Sequence, residues 1–132
     1  MTLVKVLARQ HSVTGGVGAP TQVKVKLGQI LVITTEPTDT WIAGPGNRKS
    51  GPNGLGNPLG TDFGLYAKGG FKFPYGSLVG SLDKGKTFFA VGSYLAMTVL
   101  TPGPLTLHFW DENHSDNSGH IVATVQVFTG PR

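Results

Sequence analysis

Apolar residues recur at every second position through much of this chain. From Thr21 to Leu27 they fall at Val23, Val25 and Leu27 with Lys24 and Lys26 between them, which puts the lysines on a wet face. Gly28-Gln29 then leads into the β-branched run Ile30-Leu31-Val32-Ile33-Thr34-Thr35, and the pair of runs predicts a hairpin. Short apolar runs follow at Ser77 to Leu82, Thr87 to Val91 and Tyr94 to Leu100, separated by Asp83-Lys84-Gly85-Lys86 and Gly92-Ser93. Thr101-Pro102-Gly103-Pro104 is a turn that no helix would survive. Leu105, Leu107 and Phe109 alternate with Thr106, His108 and Trp110, and Ile121, Ala123, Val125 and Val127 alternate with Val122, Thr124, Gln126 and Phe128. With Met1 to Arg9 read as a first strand, about eight or nine strands emerge and no segment has a helical period. The expected fold is all-β: two antiparallel sheets packed face to face in a jelly-roll-like sandwich, with a closed barrel as the alternative.

The stretch from Gly44 to Asp62 breaks the pattern, since its glycines and prolines leave almost no apolar side chains to bury. A loop this long in a compact domain is expected to be functional or mobile. No internal repeat or composition shift divides the rest, so residues 1–132 are expected to form one β-sandwich domain.

Composition narrows the chemistry. The 132 residues include 20 Gly and 9 Pro, yet hydrophobic residues reach 39%, enough apolar mass for a core without a disulfide or zinc staple. There is no cysteine, which removes thiolate zinc sites, cysteine nucleophiles and redox motifs together. Only 14% of residues are charged and the net charge is +4, too mild for a polycation. The lysines are scattered without interleaved aromatics, so no nucleic-acid partner is expected. No apolar stretch has signal-peptide or membrane-span length, which predicts a soluble protein, cytoplasmic or exported by a non-classical route. A chain running from Met1 to Arg132 reads as a stand-alone protein. Gly15-Gly16-Val17-Gly18 lacks the lysine and βαβ frame of a phosphate loop. His11, His108, His114 and His120 form no zinc-ligand pair, and His108, Asp111 and Ser115 have no nucleophile elbow, so catalysis is not expected.

The densest polar cluster is Asp111-Glu112-Asn113-His114-Ser115-Asp116-Asn117-Ser118-Gly119, between the last two alternating runs. Oxygens concentrated on one short loop suit calcium, which takes about 6–8 oxygen ligands and tolerates irregular geometry. Asp111, Asn113 and Ser115 copy the first alternate ligand positions of an EF-hand loop, but Asp116 stands at the sharp-turn glycine and Val122 at the bidentate glutamate. The other reading is a hairpin loop whose Asp, Asn and Ser side chains satisfy their own backbone.

Leu78-Val79-Gly80-Ser81-Leu82, Phe89-Ala90-Val91-Gly92, Pro104-Leu105-Thr106-Leu107-His108-Phe109-Trp110-Asp111 and Asp116-Asn117-Ser118-Gly119 together resemble the PA-IL family of bacterial galactose-binding lectins. Val6-Leu7-Ala8, the Gly28-Gln29 turn, Trp41 with Gly44-Pro45, and Gly51-Pro52-Asn53-Gly54 extend the resemblance over most of the chain. It implies a galactose-binding-domain-like jelly roll that grips a sugar through Ca2+, without catalysis. Carried over residue by residue, it implies Asp111, Asp116 and Asn117 as side-chain ligands of calcium. It also implies loop carbonyls, with His114 or Ser115 nearest on one side and Ala43 or Gly44 on the other. Galactose would then replace water on the ion while Asp111, Asp116 and Asn117 accept its hydroxyl protons.

An aromatic wall is expected for the apolar face of the sugar, with Trp41 and Trp110 the candidates and the core the stronger reading for Trp41. The family's His and Gln contacts from the middle loop have no counterpart here, and Asp62 is the best-placed substitute, with Asn57 and Asn53 behind it. A homo-oligomer is expected, because weak single-site lectins gain strength by multivalency. The competing expectation is a structural or assembly module that keeps the sandwich and uses the Gly/Pro loop to contact other chains.

Overall fold

The computed structural model describes residues 1–14, 17–36, 38–43, 48–54, 65–112 and 117–129, except the side chains of Ala43 and Arg48. Twelve strands occur among them: β1 (Thr2–Leu7), β2 (Ala19–Val25), β3 (Ile30–Thr35), β4 (Trp41–Ala43), β5 (Arg48–Ser50), β6 (Leu65–Lys68), β7 (Phe71–Pro74), β8 (Leu78–Ser81), β9 (Phe89–Ala90), β10 (Tyr94–Thr98), β11 (Gly103–Phe109) and β12 (Ser118–Phe128). No helix occurs among the described residues, and none is long and apolar enough to cross a membrane.

Two antiparallel sheets make a β-sandwich. In one, β12 is the spine: residues 120–125 pair with β1 along one edge, while β4 and then β3 pair along the other, with β10 beyond β3 and β5 beyond β4. The second sheet has the order β2-β11-β8-β9. Alternation decides what lies between them. Val4 and Val6, Leu31 and Ile33, Leu105, Leu107 and Phe109, and Ile121, Ala123 and Val125 all turn inward and are buried. Trp41 joins this core as expected: its ring meets Phe109 edge-to-face at 4.3 Å, and its indole N–H donates to Gly76 O at 2.8 Å.

The expected hairpin at Gly28-Gln29 is a sandwich corner instead. β2 pairs with β11 in one sheet, whereas β3 pairs with β10 and β12 in the other. Both runs keep their alternation because each has one face on the shared core, which a sequence pattern cannot distinguish from pairing with each other. Part of the 44–62 stretch is also strand rather than loop, since β5 pairs with β4 through Trp41↔Ser50 and Ile42↔Lys49.

A third layer covers the outside of the second sheet. On β11 the even-numbered side chains Thr106 and His108 face away from the core, and Trp110 follows them. The β6–β7 hairpin lies over this face. Trp110 donates its indole N–H to Tyr66 O at 2.7 Å and meets the Phe73 and Phe88 rings at 4.9 and 5.2 Å. Phe88 in turn sits edge-on to His108 at 5.2 Å.

His108 is buried here, with Nε2 2.9 Å from Thr106 Oγ1. Burial, assisted by nearby His11, lowers its pKa to about 4, against an ordinary value near 6.5. Between those values the unfolded chain takes up a proton that the folded chain refuses, so stability falls as pH drops from about 6.5 to about 4 and levels off below. Urea unfolding should show a loss on the order of 3 kcal/mol across that window, and His108→Gln should flatten the dependence. An equally steep profile in the variant would place the titrating group elsewhere.

Candidate functional site

Asp111 lies just beyond β11 and Asn117 just before β12, so the two residues bracket the loop that carries the acidic cluster. Both are buried, at 7% and 3% exposure, where polar side chains are unusual without partners. Asn117 Nδ2 donates to Ala8 O at 3.1 Å, and that bond fixes which way the amide points. Its Oδ1 is directed elsewhere and, among the described residues, receives no hydrogen bond. Asp111 Oδ1 accepts from the Glu112 N–H at 2.8 Å, and Oδ2 is also buried.

The segment Ala8 to Thr14 positions both residues. Ala8 N–H donates to Gly119 O at 3.0 Å, while Ala8 O holds Asn117. Further on, His11 and Val13 bond the Phe109 backbone on both sides, at 2.9 and 3.0 Å, and Thr14 Oγ1 donates to Asp111 O at 2.9 Å. One strap therefore ties down both ends of the polar loop. Ser12, fully buried beneath it, has its hydroxyl 3.1 Å from that of Thr14. Across the other edge, β4 pairs with β12 through Gly119↔Trp41 and Ser118↔Ile42. Gly119 has φ +82°, a left-handed conformation that brings its backbone against Trp41 at little steric cost.

Asp111 and Asn117 thus lie where the sequence reading needs them. His114, Ser115, Asp116, Gly44, Asn57 and Asp62 lie outside the described residues. Trp110 is a correction. An open wall for sugar was expected, but the ring is fully buried because the β6–β7 hairpin covers the outer face of β11. Asn53 is engaged too: its Oδ1 accepts from Ser93 N–H at 2.9 Å and its Nδ2 donates to Ser93 Oγ at 3.2 Å.

The aromatic surface beside Asp111 comes from residues the sequence reading passed over. Tyr66 and Tyr75 are half-buried with ring centroids 5.4 Å apart, and Tyr75 OH donates to Glu112 Oε1 at 2.9 Å. Burial and the Glu112 hydrogen bond, reinforced by the charges of Glu112 and Asp111, push the Tyr75 hydroxyl up to about 12. Burial and the same two carboxylates also raise Tyr66. The only sequence signal was aromatic residues flanking a short Gly-Gly turn, Lys68-Gly69-Gly70-Phe71.

No three His, Asp or Glu side chains converge on a point among the described residues. Asp111 and Asn117 offer a carboxylate and an amide oxygen, hard donors that suit calcium rather than a thiolate- or imidazole-seeking metal.

No family model and no curated protein matches the sequence. Among solved structures the chain is similar to the "EclA N-terminal domain; PllA-like lectin", with a TM-score of 0.68 over 96% of each chain. This chain has the fold of a PllA-like lectin domain. At 23% identity, the fold is what the two share.

Thr14→Val deletes the hydroxyl that holds Asp111 O without changing side-chain shape. It should cost about 1 kcal/mol in urea unfolding and speed amide exchange around Asp111. Unchanged exchange there would mean that the strap does not hold this end of the loop.

Proposed function

We propose that this protein is a calcium-dependent lectin that recognises galactose or a galactoside and carries out no catalysis. The observation carrying the reading is Asn117 Oδ1, a buried amide oxygen that receives no donor among the described residues, on the same loop as the buried carboxylate of Asp111. Buried acceptors are almost always satisfied, and exceptions call for a water or an ion. The fold of a lectin domain supports the same reading.

In this proposal Asp111, Asp116 and Asn117 hold the ion through side-chain oxygens, and carbonyls of His114 or Ser115 and of Ala43 complete the shell. Calcium supplies open positions for two neighbouring sugar hydroxyls. Asp111 and Asn117 accept hydroxyl protons, which makes the hydrogen bonds to the carboxylate charge-assisted. Asp62 and Asn57 are the polar contacts proposed from the middle loop. Tyr66 and Tyr75 replace Trp110 as the wall for the apolar sugar face, because their rings are half-buried beside Glu112 and Trp110 is not open. Assembly into a homo-oligomer would raise avidity at a glycan surface.

Calcium should stabilise the fold because it binds only the native state. At about 100-fold above its Kd it adds about 2.7 kcal/mol, which raises Tm on the order of 10 °C over the chelated protein. Asp111→Asn keeps an acceptor for the Glu112 N–H and removes the charge. It should weaken calcium about 100-fold or more and abolish galactoside binding in calorimetry, while leaving the chelated Tm nearly unchanged. Galactoside binding that survives both the chelator and Asp111→Asn would overturn the calcium mechanism. Absence of binding across a glycan array in saturating calcium would favour the assembly module.

A further inference from the structure

The third layer encloses a feature with no part in the calcium loop. Between Val13, Val17 and Gly18, the end of β6 and the β8–β9 connection lies a cavity of about 490 Å³, lined in part by Lys68, Lys84, Phe88, Thr106 and His108. That size is ordinary for a small-molecule site. Asp111 and Asn117 are not among its described lining residues, and none of these is acidic. Lys68 reaches it from the end of β6 and Lys84 from the β8–β9 connection, and neither makes an ion pair with a described residue. The nearby Asp83 carboxylate is occupied instead: it accepts from Ser81 Oγ, from the Lys86 and Thr87 N–H groups and from Thr87 Oγ1.

Two lysines lining one partly enclosed space, with no carboxylate among its described lining residues, focus a positive potential there. The floor is polar and fixed. Thr106 Oγ1 and His108 Nε2 are 2.9 Å apart, and His108 is held edge-on by Phe88. Gly18 closes over this pair so tightly that a Cβ would fall 2.5 Å from His108 Cε1. Phe88 also adds an apolar wall, and its contacts to Phe71 and Trp110 fix its orientation. An anion alone would have no use for that wall, whereas a ring bearing an anionic group uses both features.

We propose that this cavity is a second binding site, for a small acidic sugar whose carboxylate lies between Lys68 and Lys84 while its ring packs against Phe88. The site stands apart from the calcium reading, so its test is run in chelator. Sodium glucuronate, glucose and sodium sulfate are titrated separately at matched ionic strength into the 15N-labelled protein. Glucuronate should give saturable amide shifts at Lys84–Phe88, Thr106 and His108. Glucose should give none.

The double variant Lys68→Gln with Lys84→Gln changes two exposed side chains and should keep the wild-type Tm. It should weaken glucuronate at least about tenfold, as expected when charge-assisted bonds are lost. Glucose binding as tightly as glucuronate, or a double variant with unchanged affinity, would overturn the site's anionic character. Sulfate saturating the same amides as tightly as glucuronate would overturn the sugar and reduce the cavity to an inorganic-anion site.

Discussion

The strap from Ala8 to Thr14 is the constraint on which the candidate site depends. A loop of polar residues does not by itself hold oxygen atoms in a fixed arrangement, because each residue can turn outward and be satisfied by water. Here Thr14 bonds the backbone at Asp111 and Ala8 bonds the side chain of Asn117, so one short segment fixes both ends of the loop. The strap is rigid in turn because His11 and Val13 bond Phe109, whose ring is locked in the core against Trp41. Packing at the centre of the sandwich is thereby transmitted to the side chains of its last loop.

Strand β11 serves two surfaces through a period of two. Leu105, Leu107 and Phe109 build the core, while Thr106 and His108, followed by Trp110, build a second, smaller layer beneath the β6–β7 hairpin. That layer explains why a histidine can be buried without a carboxylate partner among the described residues: it is kept neutral, and its ring is held by Thr106 and Phe88. It also presents Tyr66 and Tyr75 beside Glu112, so the tyrosines rather than the tryptophan border the polar loop.

The sandwich was legible in the sequence wherever one strand face was dry and the other wet, as along β2 and β12. What alternation cannot encode is which strand is the neighbour. Lys24 and Lys26 look the same whether β2 pairs with β3 or, as it does, with β11 in the opposite sheet. The short strands β4 to β7 span three or four residues each, too few for a period to register. Asp111 and Asn117 stood out by residue type, but their burial depends on contacts with Ala8 and Thr14, about a hundred positions away. Trp110 misled for a similar reason: its outward position just beyond β11 was legible, and the hairpin that covers it was not.

The most direct measurement is a crystal structure of the protein grown in millimolar calcium with a galactoside. The expected map has one ion at about 2.3–2.6 Å from an Asp111 carboxylate oxygen and from Asn117 Oδ1, with two adjacent sugar hydroxyls completing its shell. A well-ordered loop with no ion there, and Asn117 Oδ1 bonded to a protein N–H or a lone water, would contradict it.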